Sequence, residues 1–147
     1  MAIYDVPYTT YPLPATAAFP SGREAKRPVL VAKLTNGKNQ LSCVVLVDSG
    51  ADYCAFPRSF MQPLGLDALI SPVENTLGVS TSQVPTHFCN VIVDLGPMRI
   101  AVYAGFTVGL DQIGMGLLGQ SGFFDSFNVT FKHAEGIFRI ETLEPAR

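Results

Sequence analysis

The sequence predicts an all-β domain, a sandwich or a barrel, on three observations. Apolar residues recur with a period of two in several short runs. Turn residues separate those runs at strand-like spacing, and no sustained period of 3.6 appears. The first strand is expected over residues 29–34, leading into Asn36-Gly37, a hairpin signal because both residues tolerate positive φ. Residues 41–47 return as an apolar run that stops abruptly at Asp48-Ser49-Gly50. Residues 58–62 are expected to form one short helical turn, closed by Pro63 and Gly65. Residues 88–95 alternate, with Cys89, Val91, Val93 and Leu95 on one face and Asn90 and Asp94 on the other. Residues 98–106 alternate again, with Met98, Ile100, Val102, Ala104 and Phe106 in phase, and residues 128–131 and 137–140 make a last pair around Gly136.

The beginning of the chain reads differently. Pro7, Pro12, Pro14, Pro20 and Pro28 punctuate a segment without either period, which excludes a regular helix and predicts an extended arm or linker over residues 1–27. The expected organisation is therefore an arm, one domain over residues 28–143, and a short tail over 144–147.

Composition narrows the function. The chain has 147 residues, 48% of them hydrophobic and 15% charged, enough for one real core and unlike a disordered segment. A net charge of −2, with no basic cluster beyond Arg23-Glu24-Ala25-Lys26-Arg27, argues against a nucleic-acid partner. No apolar stretch approaches the ~20 residues of a membrane helix, and residues 1–5 lack the charged start and apolar middle of a signal peptide, so a cytoplasmic location is expected. Three cysteines without a Cys-x-x-Cys pair signal neither a disulfide framework nor zinc, and buried reduced thiols are expected. The two histidines, His87 and His133, lie far apart. No metal and no cofactor are expected.

The chemistry concentrates in Cys43-Val44-Val45-Leu46-Val47-Asp48-Ser49-Gly50-Ala51-Asp52. Five apolar residues in succession predict a strand covered on both faces, and a carboxylate at its end is partly desolvated and so chemically useful. Ser49 offers a short hydroxyl, Gly50 lets another backbone or a substrate come close, and Ala51 keeps the site open. Taken alone, Asp-Ser-Gly is equally a turn closing a strand.

The order of these pieces resembles the retropepsin family, the single-lobe relatives of pepsin that include the retroviral proteases and cellular and bacterial homologues. The resemblance rests on Asp48-Ser49-Gly50-Ala51 after an apolar strand and on Gly116-Leu117-Leu118-Gly119 much later. It is extended by the opening run that begins Arg27-Pro28-Val29-Leu30 and by the closing stretch Phe123-Phe124-Asp125-Ser126-Phe127-Asn128-Val129-Thr130-Phe131. It implies a retropepsin-like barrel with a flap hairpin and one short helix opened by Leu118-Gly119, assembled as a homodimer. It implies further that Asp48 is the catalytic carboxylate, with Ser49 and Gly50 completing the motif. Ala51 and Asp52, together with Gly78, Val79 and Ser80 of the flap, would bind a peptide or protein substrate. Arg27, Leu118 and Gly119 would support the dimer and the site, Arg27 by pairing with Asp52. One departure stands out: retroviral members carry Gly-Arg where this chain has Gly119-Gln120.

The implied activity is aspartic endopeptidase chemistry, with two Asp48 carboxylates sharing one proton around a water. Two other readings compete. One is a retropepsin-like module that dimerises and binds peptides without cutting. The other is a serine hydrolase at Ser121, which lacks the full Gly-x-Ser-x-Gly elbow and its strand–turn–helix setting.

Overall fold

A computed structural model of the chain describes residues 2–77 and 83–143. Its contacts divide them into two compact units. A central unit spans residues 30–125, and a terminal unit combines the chain up to Val29 with the chain from Ser126 onward.

The central unit is one seven-stranded sheet. Its strands are β4 (Val29–Asn36), β5 (Asn39–Val47), β6 (Ala55–Pro57), β7 (Val73–Leu77), β8 (Gln83–Asp94), β9 (Arg99–Thr107) and β10 (Gly116–Leu118). They lie in the order β4-β5-β10-β6-β9-β8-β7, and β4 also pairs with β8, which turns the sheet back on itself. The hairpin signalled by Asn36-Gly37 joins β4 to β5, but its turn lies one residue later: Asn36 ends β4, the two loop residues are Gly37 and Lys38, and only Gly37 has positive φ, +60°. Alternation places most of the core as expected, except that Cys89 is half-buried and Phe88, on the opposite phase, is buried instead. Val91, Val93, Leu95, Met98, Val102, Ala104 and Phe106 are all buried. Phe56, Phe106, Phe123, Leu34, Leu64 and Leu118 are almost wholly withdrawn from solvent, each contributing about 1.5–3 kcal/mol of transfer free energy. In β5 the two faces are unequal: Val45 and Val47 are buried while Val44 and Leu46 are half-buried.

The terminal unit was the less legible part. The first 27 residues, expected as an arm or linker, carry three strands: β1 (Ile3–Pro7), β2 (Thr9–Leu13) and β3 (Arg23–Arg27). β2 and β3 form an antiparallel ribbon, Thr9 facing Arg27. β1 pairs with β12 (Ile137–Thr142), which also pairs with β11 (Phe127–Lys132), giving a sheet of order β1-β12-β11. The prolines fit because Pro7 ends β1, Pro12 lies in the two-stranded ribbon, and Pro14, Pro20 and Pro28 lie outside the strands, so no missing N–H breaks a central ladder.

The short helix expected after Leu118-Gly119 is absent, and among the described residues the only helical pieces are three 3-10 turns. Residues 119–125 instead curl through bonds five residues apart, Phe124 N–H to Gly119 O at 3.2 Å and Asp125 N–H to Gln120 O at 3.1 Å. Gly122 at φ +101° takes the backbone out of helical geometry there. The helical turn expected at 58–62 is one of the 3-10 turns, over Arg58–Phe60. Among the described residues no helix is long and apolar enough to cross a membrane.

Candidate active site

Two parallel strands deliver the site. β10 runs beside β5 with Gly116 opposite Val45 and Leu118 opposite Val47, so Asp48 and Gly119 emerge side by side. The other edge of β10 meets β6, Leu117 opposite Ala55. β10 is thus inserted between the two strands that the loop 48–54 connects. The Asp48 N–H donates to Leu118 O at 3.0 Å, fixing the start of that loop.

The loop is closed by its own residues and from residues 119–121. Gly50 N–H donates to Asp48 Oδ1 at 2.9 Å, and Ala51 N–H to Asp48 O at 3.2 Å. Gln120 N–H donates to Ala51 O at 2.8 Å and Ser121 N–H to Asp52 O at 3.0 Å. The Gln120 side chain adds a third bond from that side, Nε2 to Ser49 O at 2.9 Å. This approach needs Gly119. A Cβ there would stand 2.6 Å from the Tyr53 carbonyl carbon and 2.7 Å from Ala51 O, both backbone atoms. One oxygen of Asp48 accepts a backbone hydrogen bond, and the residue as a whole lies half-buried.

Asp48, Gly50, Ala51 and Asp52 line a cleft of about 660 Å³. Its walls are apolar side chains, among them Tyr53, Val84, Leu110, Ile113 and Leu117. Ser49 is exposed and is not among the lining residues, and Asp52 is exposed at the cleft surface. β7 and β8 form the hairpin expected over this region, with Leu77 opposite Gln83. Thr76 and Val84 of that hairpin reach the cleft. Gly78, Val79 and Ser80, expected at its tip, lie outside the described residues. Thr76 Oγ1 and Thr86 Oγ1 share a hydrogen bond of 2.7 Å beneath it, with Thr86 fully buried. Arg27 belongs to the terminal unit, where its guanidinium lies 5.2 Å from the centre of the Tyr11 ring.

Cys43, Cys54 and Cys89 are all free thiols. Burial pushes the Cys43 thiol up to about 11 and raises that of Cys54 as well, so neither is a nucleophile near neutral pH. Among the described residues no group of three or more His, Cys, Asp or Glu is placed to hold a metal ion. Sequence reasoning missed Tyr53 as a wall of the cleft and missed what Gln120 does. The signal for Gln120 is its position directly after Gly119.

Comparison with protein-family models finds no match, and comparison with curated proteins finds none either. Among solved structures the chain is similar to a retropepsin-like aspartic protease from Rickettsia conorii. The two share 14% sequence identity with a TM-score of 0.57 over 95% of each chain. At that identity the likeness is one of architecture: the chain has the retropepsin-like fold.

Proposed function

We propose that the chain is an aspartic endopeptidase whose active unit is a symmetric homodimer. The observation that supports this best is the carboxylate of half-buried Asp48, held by the Gly50 N–H in a loop that opens on a cleft of about 660 Å³. Peptide hydrolysis by carboxylates requires two of them: one ionised to take a proton from water, one protonated to polarise the scissile carbonyl. The chain has one Asp-Ser-Gly triplet, since Asp94-Leu95-Gly96 and Asp125-Ser126-Phe127 do not match it. The second carboxylate then comes from a second copy, and a two-fold axis through the site brings Asp48 against itself. Two carboxylates at that distance repel each other when both are charged, so the mechanism has them share one proton. In this reading the β7–β8 hairpin closes over the substrate, Asp52 contacts substrate backbone, and Arg27 of one copy is the cation that pairs with Asp52 of the other.

The test is Asp48→Asn, assayed against a mixed-peptide library from acid to neutral pH. The amide is nearly isosteric but does not accept the water's proton, so cleavage should fall by at least about a hundredfold with the fold intact. Substantial residual activity in Asp48→Asn would remove the assignment.

A further inference from the structure

A second concavity lies on the face of the sheet that carries the cleft. It has a volume of about 170 Å³ and is lined by Pro72, Glu74, Phe88 and Tyr103. Strand alternation ties it to the cleft. Thr76 lines the cleft and Glu74, two residues back on β7, lines the groove; on β8, Val84 lines the cleft and Phe88 the groove. Residues an even number apart on a strand share a face, and two positions span ~7 Å. Aromatic contacts bridge the same interval. Tyr53, in the cleft wall, meets Phe88 edge-on at 5.0 Å between ring centres, and Phe88 stacks on Tyr103 at 5.5 Å and 27°. Gly105 leaves room for this ladder, since a Cβ there would lie 2.9 Å from the Tyr53 ring and 3.3 Å from that of Phe88.

The charges along this path have one sign. Asp48 and Asp52 line the cleft and Glu74 the groove, and among the described lining residues there is no Lys, Arg or His. Among the described residues no hydrogen bond or ion pair engages the Glu74 carboxylate. A carboxylate beside two stacked rings suits a side chain with an apolar stem and a cationic end.

Building on the proposed peptidase reading, we infer that the Glu74–Phe88–Tyr103 groove is a distal subsite for a lysine or arginine side chain of the substrate. The substrate class is therefore peptides with a basic residue set back from the scissile bond. In a two-fold dimer the groove occurs once on each side, so the preference appears at two positions related by that symmetry.

The experiment takes one cleaved peptide and places Lys, Leu or Glu in turn at each position outside its central residues. For the intact chain, kcat/KM for Lys over Leu should reach roughly tenfold at one position on each side, with Glu disfavoured. Within Glu74→Gln and within Tyr103→Ala that ratio should collapse toward one, and Glu74→Lys should reverse it in favour of Glu. Binding of the same peptides to Asp48→Asn, measured by fluorescence anisotropy, reports the groove without catalysis. If the intact chain cuts nothing while Asp48→Asn binds Lys peptides in a Glu74-dependent way, the peptidase reading falls and the subsite stands. Cleavage with Lys-to-Leu ratios that ignore Glu74 overturns the subsite alone. Neither binding nor cleavage overturns both.

Discussion

At the scale of single residues, the loop that presents Asp48 depends on two neighbours with different physics. Gly119 matters because of what it lacks. Backbone atoms of Ala51 and Tyr53 occupy the space of its missing side chain and cannot rotate away. Gly119→Ala should therefore cost about 3 kcal/mol, read as a lower midpoint in urea, with loss of activity beyond what the lost stability explains. Gln120 matters for one donor. Its amide holds Ser49 O from an exposed position, and a neutral hydrogen bond of that kind is worth about 1 kcal/mol. Gln120→Ala should lower kcat by roughly fivefold, with little change in KM, because it loosens the loop and not the cleft walls. Gln120→Arg restores a donor and should recover most of the loss. An unchanged kcat in Gln120→Ala would show that the backbone bonds from Gln120 and Ser121 suffice.

At the scale of elements, β1 is tied to β12 by one ion pair as well as by its ladder. Asp5 stands opposite Arg139 in the register, and the guanidinium Nε and Nη2 donate to carboxylate Oδ1 and Oδ2 at 2.7 and 3.0 Å. That hydrogen bond is the main reason the Asp5 carboxyl sits below its ordinary value; desolvation opposes it, and the charges of Arg139 and Lys132 add smaller downward contributions. A carboxyl lowered in the folded state stabilises above its unfolded pKa, near 3.9, and the contribution disappears as pH falls through the folded value. Both side chains are partly solvated, so the effect is modest and screened by salt. Asp5→Asn should melt lower than the parent at neutral pH, and the gap should close progressively below about pH 4. A gap of constant size down to pH 2 would place the effect in packing instead.

For the whole molecule, the proposed mechanism makes activity a property of association. Specific activity should rise with enzyme concentration and level off. Sedimentation run alongside the assay checks this. Concentration-independent activity from a species that sediments as a monomer would refute both the dimer and the dyad.

How far the sequence reaches follows from the range of the forces involved. Alternation along residues 88–95 and 98–106 gave β8 and β9 with their buried faces, because side-chain period is a local property of the strand. Asn36-Gly37 located the first hairpin for an equally local reason, and Asp48-Ser49-Gly50 marked the end of β5. β1, β2 and β3 were hidden because five prolines carry a strong local signal against regular structure, whereas tolerance of proline in outer strands depends on which partner lies alongside. Gly116-Leu117-Leu118 was legible as a motif, yet only tertiary structure inserted it between β5 and β6 and so put Gly119 against the loop of Asp48. The same holds for the cleft. Asp48 and Thr76, or Tyr53 and Phe88, are remote in sequence, and their meeting is decided by strand order and register, which no local pattern of residues encodes.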